Sequence, residues 1–136
     1  MQRSVKNTFL FLVLAQGLHS IEEYQGKLWD NLPPARFLCS LVSDDLEKGF
    51  IILNVLLFLL GMICWLLTIW NKINPAFLWL WAVVEITNGV THPAWAVYTR
   101  AYAPGMFTSP ILLLLAIYLA RQLVRINVSR SNEVPL

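Results

Sequence analysis

The stretch that decides the fold is GFIILNVLLFLLGMICWLLTIW, from Gly49 to Trp70, which contains no charged residue. A helix of about 20 apolar residues is long enough to cross the hydrocarbon core of a bilayer. Such a helix also satisfies its own peptide groups, which water cannot do inside the bilayer. We therefore predict a transmembrane helix over residues 47–71.

Three further segments on either side of this stretch are apolar over most of a membrane-spanning length. They cover residues 4–25, 75–98 and 109–126, and polar positions interrupt the first two. The sequence predicts an all-α fold, an integral membrane bundle of four transmembrane helices. We expect one domain over residues 1–128 and a flexible C-terminal tail over residues 129–136.

The composition fits a membrane protein and excludes several other classes. Hydrophobic residues make up 57 % of the 136 residues and charged residues 13 %, against roughly 45–50 % and about 25 % in soluble domains. The net charge of +2 is too small for a surface that follows a phosphate backbone, so we expect no nucleic-acid partner. Two cysteines are too few for a disulfide scaffold.

The lysines and arginines set the expected orientation. Four spans place both termini and the loop after the second span on one side, which would hold Arg3, Lys6, Lys72, Arg121, Arg125 and Arg130. The opposite side would hold the smaller number of basic residues. Because basic loops stay in the cytoplasm, we predict a multi-pass membrane protein with both termini cytoplasmic.

Two of the predicted helices carry ionisable residues within apolar sequence. A charged side chain at the centre of a transmembrane helix costs about 2.5–3.5 kcal/mol, so such residues are expected to face the bundle interior and to have partners. A helix advances about 100° per residue. Two sets of side chains therefore share one helix face each, namely His19, Glu22 and Glu23 on the first helix and Glu85, Asn88 and His92 on the third.

The two polar faces are predicted to lie at the same depth. Both helices run in the same direction, and at about 1.5 Å per residue His19 and Asn88 lie about 22 Å and 20 Å along them. We therefore expect one cluster of two histidines, three carboxylates and an asparagine in the outer half of the bilayer.

Residues that shape the backbone occur beside this cluster. Gly89 weakens the third helix, and Pro93 leaves the carbonyl of Gly89 without its helical donor. Inside a membrane a freed carbonyl is tolerated only beside a cavity or a protein contact. Pro104 and Gly105 predict a turn that leads through Thr108 into the fourth helix.

Three five-residue patterns in the chain resemble those of a known family. His19-Ser20-Ile21-Glu22-Glu23 fits the motif that names the HXXEE family of membrane proteins, Asn88-Gly89-Val90-Thr91-His92 resembles its NxxxH motif, and Pro104-Gly105-Met106-Phe107-Thr108 resembles its PGxxT/S motif. The resemblance implies a helical integral membrane protein. It also implies functional weight for His19, Glu22, Glu23, Asn88 and His92, but it supplies no activity.

The cluster is interpreted first as a metal site. Imidazole and carboxylate groups suit Zn, Fe or Mn, and the expected ligands are His19, Glu23, Glu85 and His92. The adjacent Glu22 and Glu23 allow one carboxylate to bind the ion while the other acts as general base, and Asn88 is placed to orient a substrate oxygen. The expected activity is that of a hydrolase or oxidoreductase on an apolar or lipid substrate taken from the bilayer.

Other interpretations of the same cluster remain open. A buried His–Glu pair can move a proton without metal, as in a membrane-bound isomerase. Intramembrane Glu and His also serve small-molecule or ion binding and transport, or hold helices together. A unit of four helices has little room for a closed cavity, so a homodimer is a further expectation.

Overall fold

A computed structural model describes residues 2–132 of the chain, with side-chain surroundings for residues 2–126. The described residues are helical, turn or irregular and include no strand, which confirms the all-α prediction. The helices are α1 (Arg3–Gln25), α2 (Leu28–Asn31), α3 (Pro33–Ser40), α4 (Leu46–Ile69), α5 (Pro75–Thr99) and α6 (Ser109–Asn132). Helix α6 extends to Asn132, and the remainder of the expected tail, 133–136, lies outside the described residues.

Local capping fixes where two of the long helices begin. Asp45 precedes α4, and its carboxylate accepts a hydrogen bond of 3.2 Å from the backbone N–H of Lys48. Asn74 precedes α5, and its side-chain oxygen accepts one of 2.9 Å from the N–H of Ala76. Both caps satisfy an N–H group that has no partner within its own helix.

The four long helices alternate in direction, so that the start of α1 and the last turns of α6 lie at the same end of the fold. The Lys6 ammonium donates to the carbonyl of Ile69 at 3.0 Å, which joins the start of α1 to the end of α4. The Gln122 amide donates to the Ser4 hydroxyl at 2.7 Å, which joins the start of α1 to α6. Consequently α1 and α5 run in the same direction, as the comparison of depths assumed.

Helix α1 occupies the centre of the arrangement. It packs against α4 on one side and α6 on the other, while α5 packs along α6. The larger hydrophobic cluster joins the four long helices and contains Phe9, Leu12, Leu78, Trp81 and Leu112. At the end of the fold opposite the start of α1, α2 and α3 cover α4 through a smaller cluster around Trp29, Cys39 and Phe50.

Helices α5 and α6 cross closely at Gly89. A Cβ atom at this position would lie 2.6 Å from the Cβ of Leu113 and 3.0 Å from its Cα. Small residues permit such backbone contact between helices. Gly89 therefore sets how near α6, and the loop that precedes it, comes to the polar face of α5.

Two helices of the described chain are long and apolar enough to cross a membrane. They are α4, over Leu46–Ile69, and α6, over Ser109–Ile126. Helices α1 and α5 have sufficient length but contain the ionisable residues considered above.

Candidate metal centre

Three buried side chains from α1 and α5 converge at one point. Nε2 of His19 lies 3.3 Å from Oε1 of Glu23, and Nε2 of His92 lies 3.2 Å from the same oxygen. The two Nε2 atoms are 3.3 Å apart. All three residues are buried, with exposed fractions of 0 % for His19, 6 % for Glu23 and 4 % for His92. We call these three residues the centre.

Helix periodicity and helix direction together produce the centre. His19 and Glu23 are four residues apart, so they project from the same face of α1. His92 reaches them from α5 at the same depth, and its ring meets the ring of His19 edge to face, with centroids 4.7 Å apart. The two polar faces therefore meet through one carboxylate and both histidines.

The geometry of the centre suits a metal ion. In tetrahedral zinc sites the metal–ligand bonds are about 2.0–2.1 Å, which places neighbouring ligand atoms about 3.3 Å apart. The three separations at the centre are 3.2–3.3 Å. Two imidazoles and one carboxylate also form the ligand set of several catalytic zinc sites, whose fourth position stays open.

Glu22 lies outside the centre and binds the loop between α5 and α6. Its carboxylate accepts hydrogen bonds from the Tyr102 hydroxyl at 2.8 Å and from the N–H of Phe107 at 3.1 Å. It also accepts from the N–H of Thr108 at 2.9 Å and from the Thr108 hydroxyl at 2.6 Å. Partial burial and the hydrogen bond to Glu22 raise the pKa of Tyr102 to about 12. All four donors belong to this one loop, so Glu22 holds it against α1.

The same loop contacts both imidazoles. Nδ1 of His19 lies 2.7 Å from the Thr108 hydroxyl oxygen. Gly105 has φ +89°, and a Cβ atom there would lie 2.6 Å from Cε1 of His19 and 2.9 Å from Nδ1 of His92. The turn therefore needs glycine both for its backbone conformation and for the space that the rings occupy.

Pro104 anchors the start of this turn. A Cβ atom at Gly26, the residue that ends α1, would lie 2.6 Å from the ring of Pro104. Pro104 itself is fully buried. The loop is thus fixed to the end of α1 at one point and to Glu22 at another.

A second polar layer lies deeper in the fold. Glu85 is completely buried and accepts a 3.3 Å hydrogen bond from the Asn88 amide. With the Gln16 amide turned so that its nitrogen faces the carboxylate, that nitrogen donates to Oε2 of Glu85 at 2.8 Å. Nearby, the Ser20 hydroxyl donates to Oδ1 of Asn54 at 2.7 Å, which connects α1 to α4. Gln16 and Glu85 each lie seven residues before a member of the centre, which is two helical turns.

Residues 10–119 match a family model described as a protein of unknown function with HXXEE motif. The chain belongs to the HXXEE-motif family. No curated protein and no solved structure matches it. The family match confirms the resemblance drawn from the three patterns, and the matched range includes the whole centre and the loop above it.

In this HXXEE-family chain the predicted residues fall into separate groups. The structure brings His19, Glu23 and His92 together, and these three form a group that could hold a metal ion. Glu85, the expected fourth ligand, lies outside that group and has Gln16 and Asn88 as its neighbours. Asn88 likewise lies with Glu85, and no contact joins it to the centre among the hydrogen bonds of the described residues.

The glycines and prolines that were expected to shape the site each make a different contact in the structure. Gly89 lets the backbone of Leu113 approach α5, and Pro104 packs on Gly26. Gly105 lies against the imidazole rings of His19 and His92. Helix α5 continues through Pro93 to Thr99.

Two residues that contact the polar groups around the centre, Tyr102 and Gln16, do not belong to any of the three sequence motifs. Tyr102 binds Glu22 across 80 positions of sequence, and no local pattern indicates that contact. Helical periodicity does place Gln16 at the edge of the polar face of α1, but it does not predict the contact with Glu85.

Proposed function

We propose that this protein is a membrane-embedded enzyme in which His19, Glu23 and His92 hold a divalent metal ion that acts on a lipid-soluble substrate. The convergence of the three ligand atoms within 3.3 Å of one another carries the proposal. The spacing favours zinc, and iron and manganese share the same kinds of ligand.

The distribution of polar and apolar side chains supports a bundle of four transmembrane helices. In the outer half of the fold α1 buries His19 and Glu23 and α5 buries Glu85 and His92, while both helices expose apolar side chains such as Leu18 at 64 % and Leu80 at 61 %. This is the reverse of a soluble protein, and it is the arrangement expected when lipid surrounds the fold. Together with α4 and α6 we propose four spans, with both termini cytoplasmic, as the basic residues of the sequence favour, and the centre toward the outer half of the bilayer.

The electrostatics of the centre call for positive charge between the ligands. Two imidazole nitrogens and a carboxylate oxygen point at one another where almost no solvent enters. Their lone pairs repel unless a proton or a metal ion lies among them, since a buried negative charge without a partner is costly. A metal ion meets this requirement for all three atoms at once.

Three protein ligands make the centre suited to hydrolysis. A zinc ion held in this way keeps a position for water and activates that water near neutral pH for attack on a carbonyl or phosphoryl group. Glu22 is occupied by its loop, so Glu23 is the carboxylate of the described residues that touches the reacting region. We therefore assign no catalytic role to Glu22 and propose a binding role for Glu23.

A second candidate is proton transfer without metal. Oε1 of Glu23 lies within hydrogen-bond reach of both imidazoles, which is the geometry of an acid–base pair. Such a pair would serve isomerisation of an apolar substrate.

Metal content distinguishes the two candidates. The protein would be purified in detergent without a nickel column, and its metals measured by plasma mass spectrometry. We expect close to one zinc, iron or manganese ion per chain, lost in the His19→Ala/His92→Ala double variant. Glu85→Gln is the matched control, because it changes a buried carboxylate of α5 outside the centre, and it should retain the ion. Folded wild-type protein that takes up no ion on titration would refute the metal proposal.

The reaction class requires a second experiment. Metal-loaded protein in vesicles made from a mixed lipid extract would be incubated in water labelled with oxygen-18. The lipids would then be extracted and analysed by mass spectrometry. Hydrolysis predicts products that carry solvent oxygen, absent with Glu23→Gln. Products that carry oxygen only from O₂ would instead indicate an oxidoreductase, and products without new oxygen an isomerase.

A further inference from the structure

We infer that Glu22 and Thr108 are positioning residues that fix the proton of His19 on Nδ1 and leave its Nε2 free to bind the ion. The inference deepens the proposed function, since it assigns the ligand atom of one member of the centre. It also gives the two adjacent glutamates of the HXXEE motif different tasks: Glu23 contacts the centre, and Glu22 acts through Thr108.

The direction of the first hydrogen bond follows from the single proton of a hydroxyl group. A carboxylate accepts hydrogen bonds and donates none, so Thr108 is the donor in its 2.6 Å contact with Oε2 of Glu22. The other acceptor within reach of the hydroxyl, the carbonyl of Gly105, is 3.4 Å away. The two backbone N–H groups that also point at Glu22 keep that carboxylate in place.

The direction of the second hydrogen bond follows from the first. Because the Thr108 proton is already engaged, the hydroxyl oxygen accepts in its 2.7 Å contact with Nδ1 of His19. Nδ1 therefore carries a proton, and in the neutral ring Nε2 carries none. That bare nitrogen points at Glu23 and His92.

Such support from a second residue is typical of metal-binding histidines. A histidine ligand usually donates its other N–H to an oxygen, which fixes the tautomer and the ring orientation, and loss of that partner costs about 10–100-fold in metal affinity. In this protein the oxygen is the hydroxyl of a residue 89 positions away in sequence. Thr108 of the PGxxT pattern thus contacts both His19 and Glu22 of the HXXEE pattern.

The test is the tautomer of His19 together with zinc affinity. Nitrogen-15 NMR of metal-free protein in detergent reports which ring nitrogen carries the proton, and competition with a chromophoric chelator reports affinity for zinc alone. Wild type should show Nδ1–H at His19. Thr108→Val should lose this preference and weaken zinc binding about 10–100-fold, and Thr108→Ser, which keeps the hydroxyl, should restore both.

Two further variants complete the experiment. Thr91→Val is the matched control, because the Thr91 hydroxyl is next to His92 in sequence but donates only to the carbonyl of Thr87 in its own helix; it should behave as wild type. Glu22→Gln replaces one of the two acceptor oxygens by an NH2 donor without altering Thr108, so it should also weaken the preference for Nδ1–H, and it serves if Thr108→Val does not fold.

The results separate this inference from the proposed function. Unchanged Nδ1 protonation and unchanged zinc affinity in folded Thr108→Val would overturn the inference. If wild type binds no metal, the proposed metal enzyme fails, while the tautomer of metal-free wild type and Thr108→Val still decides whether Glu22 and Thr108 position His19.

Discussion

Replacing Gly105 by alanine tests how directly the loop between α5 and α6 rests on the centre. The new Cβ would lie 2.6 Å from Cε1 of His19 and 2.9 Å from Nδ1 of His92, where ordinary contacts begin near 3.4 Å. Both rings are buried, and His19 is also held by Thr108. We therefore expect the substitution to displace the rings or the loop.

The expected cost has two parts. Alanine at φ +89° loses about 1–2 kcal/mol, because its Cβ crowds the backbone in the left-handed region. Forcing a methyl group into a packed interior typically costs about 1–3 kcal/mol. Together these predict that the free energy of unfolding falls by about 2–5 kcal/mol.

The effect on metal binding follows from the same distances. To restore ordinary contact, the His19 ring would have to move by about 0.8 Å relative to the turn, whereas metal–ligand distances vary by about 0.2 Å in good sites. We expect zinc affinity to fall at least tenfold.

The assay compares Gly105→Ala with Gly17→Ala in detergent, by thermal unfolding and by competition with a chelator for zinc. At Gly17 the new Cβ would meet only the side-chain ring of Phe58, at 3.1 Å, and alanine is favoured over glycine inside helices by up to about 1 kcal/mol. The Phe58 ring has to yield by about 0.3 Å, so Gly17→Ala should unfold close to wild type and, being remote from the centre, bind zinc normally. If Gly105→Ala matched wild type in both measurements, the contact between the turn and the imidazoles would be refuted.

Two other predictions concern the same loop and the helix crossing beneath it. Gly89→Ala places a Cβ 2.6 Å from Leu113 and should lower the free energy of unfolding by about 1–3 kcal/mol, as measured with denaturant in micelles; a variant as stable as wild type would contradict the close crossing of α5 and α6. The raised pKa of Tyr102 means that the folded state holds the phenol proton more tightly than the unfolded state, whose tyrosines titrate near pH 10. The stability that comes from the hydrogen bond of the Tyr102 hydroxyl to Glu22 is therefore fully present below about pH 10. It is lost as the pH rises through about 12. Tyrosinate absorbance of wild type and Tyr102→Phe should differ by one late-titrating group, and a difference centred near pH 10 would show that Tyr102 does not bind Glu22.

The sequence predicts the helices well because their signals are local. Apolar runs and the Asn74 cap mark where α4 and α5 lie, and the structure places these helices within a few residues of the expected bounds. Periodicity likewise places His19 and Glu23 on one face without knowledge of any neighbour. The meeting with His92 follows once α1 and α5 run in the same direction.

The division of labour between Glu22 and Glu23 could not be predicted in this way. Adjacent residues on a helix point about 100° apart, so both glutamates fit the edge of one polar face. The rotation of α1 against α5 and α6 decides which one reaches His92, and packing over the whole helix sets that rotation. The same packing directs Glu85 toward Gln16 and Asn88 instead of the centre.

The sequence by itself therefore determined the helices, their polar faces and the kinds of ligand available, because each depends on residues a few positions apart. Only the tertiary structure decided that Glu23 joins the two histidines, that Glu22 holds the loop, and that Thr108 contacts His19. These contacts join residues about 70 to 90 positions apart, and their geometry depends on how entire helices pack.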